Sequence, residues 1–172
     1  PEALNHLQQI AVIESTESSN RLEGVVITPE RLKSLMIRNA APKSRSEQEV
    51  AGYRDALALI HESAVNMPFS EGVVRQLHAM LYRYMPQPGG QWKATNNDIV
   101  EKHPDGTVRI RFRPVAAHMT SMAMTDLVVR YQTAYDRHLA DPLVLIPLSV
   151  LDFLCIHPFP DGNGRVARLV TL

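Results

Sequence analysis

The sequence predicts an all-α protein, mainly a helical bundle, that carries one β-hairpin. Apolar residues recur every three or four positions through most of the chain, which is typical of helices with one buried face. One stretch, residues 97–113, instead alternates apolar and charged residues around a turn. The length of 172 residues suits one compact domain that buries a sizeable core.

Two helices are predicted in the N-terminal region, and a weak stretch separates them. Apolar residues at helical spacing begin the first helix near Glu2. Four hydroxyl residues lie between Glu14 and Asn20, and such side chains compete for backbone hydrogen bonds, so propensity alone predicts a frayed end or loop there. Gly24 provides a helix stop. Thr28, followed by Pro29, is a typical start for the second helix.

Two further helices come before the hairpin. One is predicted over residues 46–62, and Ser70 is predicted to cap the next. Their apolar residues fall on one face of each helix, and we expect these faces to be buried: Val50, Tyr53, Ala56, Leu57 and Ile60 on the first, Val73, Val74, Leu77, Met80 and Leu81 on the second.

The hairpin is predicted from two short runs, residues 98–100 and 108–112, around a turn that contains Gly106. Its second strand places three arginines on one face, and a solvated strand face is the favoured interpretation. Helical spacing resumes over residues 118–139, and a very apolar helix is predicted over residues 142–156.

Composition and charge exclude several classes of protein. Eighteen Lys and Arg balance eighteen Asp and Glu, so no overall field attracts nucleic acid or an anionic membrane. The single cysteine, Cys155, cannot form an internal disulfide and is expected to be a buried thiol. Without a long apolar run or a signal peptide, we expect a soluble, cytoplasmic protein. The chain starts at Pro1 and stops within a helix-like run at Leu172, so we expect a fragment.

The chemistry is concentrated in residues 157–168, His-Pro-Phe-Pro-Asp-Gly-Asn-Gly-Arg-Val-Ala-Arg. The prolines end one helix, and the glycines permit a tight turn that opens the next, so backbone amides and a helix N-terminus can converge on a phosphate. Arg165 and Arg168, three residues apart, project from one side of that helix toward the same anion. Asp161 is a hard oxygen ligand that suits Mg²⁺ beside a polyphosphate. His157 is the group able to take a proton at neutral pH.

These residues resemble the signature of the Fic family, His-x-Phe-x-(Asp or Glu)-Gly-Asn-Gly-Arg-x-x-Arg, with every fixed position filled. The resemblance implies an enzyme that transfers AMP from ATP to a protein hydroxyl of Ser, Thr or Tyr, with His157 as base and Asp161 as the Mg²⁺ ligand. Phe159 would anchor the loop in the core. The remaining implied roles are phosphate contacts: an anion hole of Gly162, Asn163 and Gly164 at the α- and β-phosphates, Arg165 at the β-phosphate, and Arg168 at the γ-phosphate.

A second resemblance involves residues 19–24, Ser-Asn-Arg-Leu-Glu-Gly. They fit the family's inhibitory motif, (Ser or Thr)-x-x-x-Glu-(Gly or Asn), represented here by Ser19, Glu23 and Gly24. In the family this motif lies on a helix. The resemblance implies that Glu23 pairs with Arg168 and removes the cation that the γ-phosphate needs, so we expect low basal activity.

The resemblance also implies a division of the chain. Residues 1–40 would form an N-terminal region with the inhibitory helix at about residues 3–24, and residues 41–172 a catalytic core that is truncated at its C-terminal end. The hairpin would be the flap that aligns the target by main-chain pairing. The flap residues expected to dock the target are Asn97, Asp98, Ile99, Val100, Val108 and Ile110.

The expected partners are ATP, an unidentified protein target and the chain itself, and the sequence leaves a homodimer open. Two alternatives share the same site: removal of AMP from modified proteins, and a nucleotide-sensing module with little turnover. A hydrolase with His157 and Asp161 as metal ligands is the weakest interpretation, because neighbouring residues add no further ligands for a closed metal site.

Overall fold

The computed structural model describes residues 2–38 and 40–172, and it confirms the helical fold with one hairpin. Pro1 and Asn39 lie outside the described residues. None of the described helices is both long enough and apolar enough to cross a membrane. The helices of the described ranges are α1 Glu2–Leu22, α2 Pro29–Ile37, α3 Arg45–Ser63, α4 Glu71–Leu81, α5 Thr120–Asp136, α6 Pro142–Ile156 and α7 Asn163–Leu169, and the strands are β1 Ile99–Lys102 and β2 Val108–Phe112.

Four helices start at a side chain that caps the first turn. The hydroxyls of Thr28, Ser44 and Ser70 and the carboxylate of Asp141 accept hydrogen bonds from free backbone amides at the starts of α2, α3, α4 and α6. The predicted starts at Thr28 and Ser70 are confirmed. Local chemistry therefore fixes where these elements begin.

The main core lies between α3, α4, α6 and the loop that follows α6. Tyr53 and Leu57 of α3 pack with Leu77 of α4, Phe153 of α6 and Phe159 of the loop, and all five are fully buried. Every apolar residue predicted for the face of α3 is buried. Because the loop after α6 contributes a side chain to this core, its position is set by the packing of the bundle.

The N-terminal helix is longer than propensity predicts, and the expected frayed end at residues 14–20 is wrong. Burial explains the difference, because Ser19 and Asn20 are almost fully enclosed and each donates one side-chain hydrogen bond inside the fold. Ser19 Oγ donates to the Tyr53 hydroxyl at 2.9 Å, and Asn20 Nδ2 donates to the Thr16 carbonyl at 2.8 Å. The helix ends at Leu22, and Gly24 follows with φ of +77°.

The hairpin projects from the bundle and is exposed. β1 and β2 pair in antiparallel fashion, with Val100 opposite Ile110, and Gly106 takes φ of +84° in the turn. All residues of β2 are exposed, so its apolar residues are not covered by the bundle. Arg111 contacts Glu101 across the strands at 3.2 Å, in agreement with a solvated arginine face. Cys155 is half-buried, less enclosed than predicted.

An ion pair joins α2 to α3 and gives a pH-dependent contribution to stability. Arg31 Nε and Nη2 donate to the two carboxylate oxygens of Glu47 at 2.8 and 2.7 Å, and the Lys43 amide donates to the same group at 2.7 Å. The bond from Arg31, followed by that from Lys43, lowers the pKa of Glu47 from 4.5 to about 2.

We expect Glu47→Gln to lower the Tm at pH 7 by about 2–4 °C. Because the pKa of Glu47 is lower in the folded state, its contribution is present above pH 4.5 and is lost as the pH falls toward 2. The Tm difference from wild type should therefore shrink in acid. Thermal melts of both proteins at pH 7 and pH 3 measure this, and the exposed Glu30→Gln is the matched control. A difference that stayed constant with pH would contradict the assignment.

Candidate active site

The residues of the signature segment form a sharp loop between α6 and α7. His157 caps the end of α6 in the left-handed conformation with φ of 51°, and its amide donates to the Phe153 carbonyl at 2.9 Å. Gly162 takes φ of +77° immediately before α7. A Cβ at Gly162 would lie 3.3 Å from the Tyr82 ring, so this turn suits glycine for its conformation and for the space available.

Phe159 and Asn163 hold the loop together from inside. Phe159 is fully buried, as the resemblance implies for an anchor. Its amide donates to Asn163 Oδ1 at 2.9 Å, and Asn163 Nδ2 donates back to the Phe159 carbonyl at 2.8 Å. The Asn163 side chain is thus engaged with the loop backbone, which leaves backbone amides as the groups this turn can offer to an anion.

His78 supports the loop from α4, and sequence reasoning did not identify it. Its ring stacks on Phe159 with centroids 3.7 Å apart. Nδ1 accepts from the Gly90 amide at 2.7 Å, so Nε2 carries the proton and donates to the Asp161 carbonyl at 3.1 Å. Burial lowers the pKa of His78 to about 4, which keeps the ring neutral. The available signal was a histidine on the apolar stripe of α4, at position 78 between Val74 and Leu81.

His157 is half-buried at the mouth of the loop. Burial lowers its pKa below the ordinary value, and the positive charge of Lys93 acts in the same direction. The Leu154 carbonyl and the carboxylates of Asp161 and Glu23 oppose this shift without reversing it. The ring is therefore neutral at pH 7 and able to accept a proton.

Asp161 lies at the rim with its side chain 60% exposed. Oδ1 accepts from the Gly162 amide at 2.7 Å, and Oδ2 lies 3.9 Å from Arg165 Nη2. Among the side chains that the structure describes, no group of three or more His, Cys, Asp or Glu could hold a metal ion. A single exposed carboxylate nevertheless fits Mg²⁺ of the kind that is shared between one protein oxygen and bound phosphates.

The two arginines of α7 bond to different helices. Arg165 is buried, and its Nη1 donates to Glu49 Oε2 of α3 at 2.8 Å. Glu49 also accepts from Arg45 at 3.1 Å, so its carboxylate is paired on both sides. Arg168 is about one-third exposed and points toward α1. Glu49 was another residue missed by sequence reasoning, since no motif separates it from the other charges of α3.

The hexapeptide of residues 19–24, which resembles the family's inhibitory motif, contacts α7. Arg168 Nη2 donates to Glu23 Oε1 at 2.7 Å and to the Ser19 carbonyl at 2.9 Å. A Cβ at Gly164 would collide with that same oxygen of Glu23, so the carboxylate rests against the backbone of the glycine turn. The structure therefore brings Ser19 and Glu23 to Arg168, whereas Gly24 follows in the turn and makes no contact with α7 that the structure shows.

The hairpin meets the site at its root. Asn97 Nδ2 donates to the Phe159 carbonyl at 2.9 Å, and Asn97 Oδ1 accepts from Lys93 Nζ at 2.8 Å. Asp98 lies 3.8 Å from Arg113. Lys93 had no sequence signal of its own. The remaining residues expected to dock a target are exposed along the strands: Ile99, Val100, Val108 and Ile110.

Comparison with known proteins gives a consistent picture. Residues 68–172 match the Fic/DOC family. Protein adenylyltransferase Fic of Nematostella vectensis is 23% identical over 158 residues, which are 88% of this chain and 34% of that protein, so the chain spans only part of that relative. A Fic domain containing signaling protein from Bacteroides thetaiotaomicron is 27% identical with a TM-score of 0.85, over 99% of this chain and 64% of that one. The fold is shared with a Fic family protein from Desulfovibrio desulfuricans, at 21% identity, a TM-score of 0.74 and coverage of 95% and 47%.

Proposed function

Since the chain belongs to the Fic/DOC family, we propose that it is a protein adenylyltransferase that moves AMP from ATP to a Ser, Thr or Tyr hydroxyl of a protein. One observation carries the proposal: a single loop, anchored in the core by Phe159, holds a neutral His157, Asp161 and the glycine turn together. These are the groups that nucleotidyl transfer needs in one place, namely a base and a polyphosphate site. The name of the curated relative agrees with this reaction.

His157 acts as the general base in the proposed reaction. Its ring nitrogen takes the proton of the acceptor hydroxyl as that oxygen bonds to the α-phosphorus of ATP. The bond from the α-phosphorus to the bridging oxygen breaks on the opposite side, and pyrophosphate leaves with the electron pair. The histidine then returns its proton to solvent. The lowered pKa of His157 suits this role because the unprotonated ring is the form that can accept a proton.

The phosphates are assigned to the turn and to the charged residues around it. The backbone amides of Gly162, Asn163 and Gly164 would contact the α- and β-phosphates, with Arg165 at the β-phosphate. The Gly162 amide would first have to leave Asp161 Oδ1, to which it is bonded in this structure. Arg168 would bind the γ-phosphate once it is released from Glu23. Asp161 would hold Mg²⁺, which when bound neutralises phosphate charge.

We infer inhibition from the position of Glu23, in the turn directly after α1. Its carboxylate pairs with Arg168 and lies against Gly164, so it competes for the cation and for the space that a phosphate would use. The Ser19 carbonyl accepts from Arg168, and the Ser19 hydroxyl donates to the Tyr53 hydroxyl. These two contacts hold the end of α1 in place. The proposed protein target, and the chain itself in self-modification, would pair with the exposed edge of the hairpin.

The donor experiment tests the proposal directly. The purified protein and its Glu23→Gly variant are each incubated with Mg²⁺ and ATP labelled either at the α- or at the γ-phosphate, and label retained on protein is measured. We expect retention from α-labelled ATP alone, because AMP is transferred and pyrophosphate is released. Retention from γ-labelled ATP would instead indicate phosphoryl transfer. Tight ATP binding without any labelled product, even from the Glu23→Gly variant, would favour a nucleotide-sensing module. Release of AMP from AMP-modified protein would favour the reverse reaction.

A further inference from the structure

Lys93, outside the signature, is a buried cation next to the proposed base. It is 4% exposed, and burial lowers the pKa of its amino group. Nζ donates to Asn97 Oδ1 at 2.8 Å and to the Ile156 carbonyl at 3.1 Å. Within the part of the chain that the structure describes, these neutral oxygens are its hydrogen-bond acceptors, and no carboxylate pairs with it. A buried charge without an ionic partner is costly, which calls for a role that offsets the cost.

The contacts of Lys93 lie on both sides of His157. Besides the bond from Nζ to the carbonyl of Ile156, the Lys93 amide donates to the carbonyl of Pro158 at 2.8 Å. The residues that flank His157 are therefore both bonded to one lysine. His157 itself is held in a left-handed conformation that a residue other than glycine seldom adopts, so this backbone has to be supported from outside.

Asn97 extends the same network to the hairpin. It accepts from Lys93 Nζ and donates to the Phe159 carbonyl, while β1 begins two residues later at Ile99. The root of the hairpin and the loop of the base thus share Lys93 and Asn97 as a common support. A target that pairs with the strands would dock on an element tied to the base through these two side chains.

We propose that Lys93 is a positioning residue, which fixes the backbone on both sides of His157 and, through Asn97, sets the base in register with the hairpin. Its catalytic consequence rests on the proposed function, whereas its effect on His157 can be measured without activity. Three charged groups face His157 from the elements around it: Lys93 from the segment after α4, Asp161 from the loop and Glu23 from the turn after α1. Of these, Lys93 favours the neutral ring and the two carboxylates favour the protonated one.

The test uses Lys93→Met, which keeps the length of the side chain and removes its charge. The variant is made in the full chain together with Glu23→Gly, and the histidine ring signals are followed by NMR from pH 5 to pH 9. We expect the pKa of His157 to rise. The acidic limb of the pH–rate profile for AMP transfer should move to higher pH. The kcat should fall roughly 10- to 100-fold, with little change in the KM for ATP. Lys33→Met, an exposed lysine of α2, is the matched control.

A second variant keeps the proposal testable if Lys93→Met does not fold. Asn97→Asp places a carboxylate beside the ammonium and should also raise the pKa of His157, with folding checked by thermal melts. A His157 titration that is the same in both variants as in the control would overturn the proposal. Should the chain transfer no AMP while the titration still moves, the proposed function fails and the assignment of Lys93 stands.

Discussion

Replacing Glu23 by glycine is expected to raise AMP transfer about 10- to 100-fold. The variant removes the carboxylate that bonds to Arg168 at 2.7 Å and rests against Gly164. A charge-assisted hydrogen bond of this kind is worth about 1.5–3 kcal/mol, which corresponds to that range of rates. Both side chains are about one-third exposed, so solvent screening favours the lower end. Label retained from ATP labelled at the α-phosphate measures the change.

Two controls separate loss of the carboxylate from loosening of the helix. Glu17→Gly introduces the same flexible residue within α1, six residues before Glu23, at an exposed position whose ion-pair partner, Arg21, lies 4.0 Å away. It should leave the rate near that of the wild type. Glu23→Gln removes the charge and keeps the size of the side chain, so it should activate less than glycine does, because the side chain still fills the space against Gly164. Equal activation by Glu17→Gly would show that helix mobility, and not the pair with Arg168, limits the wild-type rate.

Replacing His157 by alanine in the Glu23→Gly background is expected to lower AMP transfer about 10²- to 10⁴-fold. That range is the usual contribution of a positioned general base. ATP should still bind, because the glycine turn and Arg168 are unchanged, so kcat should fall with little change in nucleotide affinity. Label transfer gives the rate, and isothermal titration with ATP and Mg²⁺ gives the affinity.

The left-handed backbone at His157 requires a specific control. Alanine is strained at φ of 51°, whereas asparagine tolerates this conformation and cannot act as a base at neutral pH. His157→Asn should therefore be as inactive as His157→Ala while keeping more of the stability. The exposed His118→Ala should remain active. If His157→Asn retained most of the rate, His157 would be a structural helix cap and the base would have to be sought elsewhere.

Much of the fold was predictable because its signals are local. Helix starts at Thr28 and Ser70 depend on a hydroxyl that bonds to amides three residues ahead, and the apolar face of α3 depends on spacing alone. The glycine turn is local in the same sense. The expected break at residues 14–20 failed because burial of Ser19 and Asn20 outweighed their weak helix propensity.

The sequence by itself determined the chemical groups of the site, since base, carboxylate, glycine turn and cations fall within residues 157–168. Only the tertiary structure decided how they are supported and paired. Glu49, His78 and Lys93 come from α3, α4 and the segment after α4, respectively, at sequence separations where no periodicity carries information. Their roles arise because a buried polar group is unfavourable unless it finds a hydrogen-bond partner. Such partners come together only when distant helices pack around the loop.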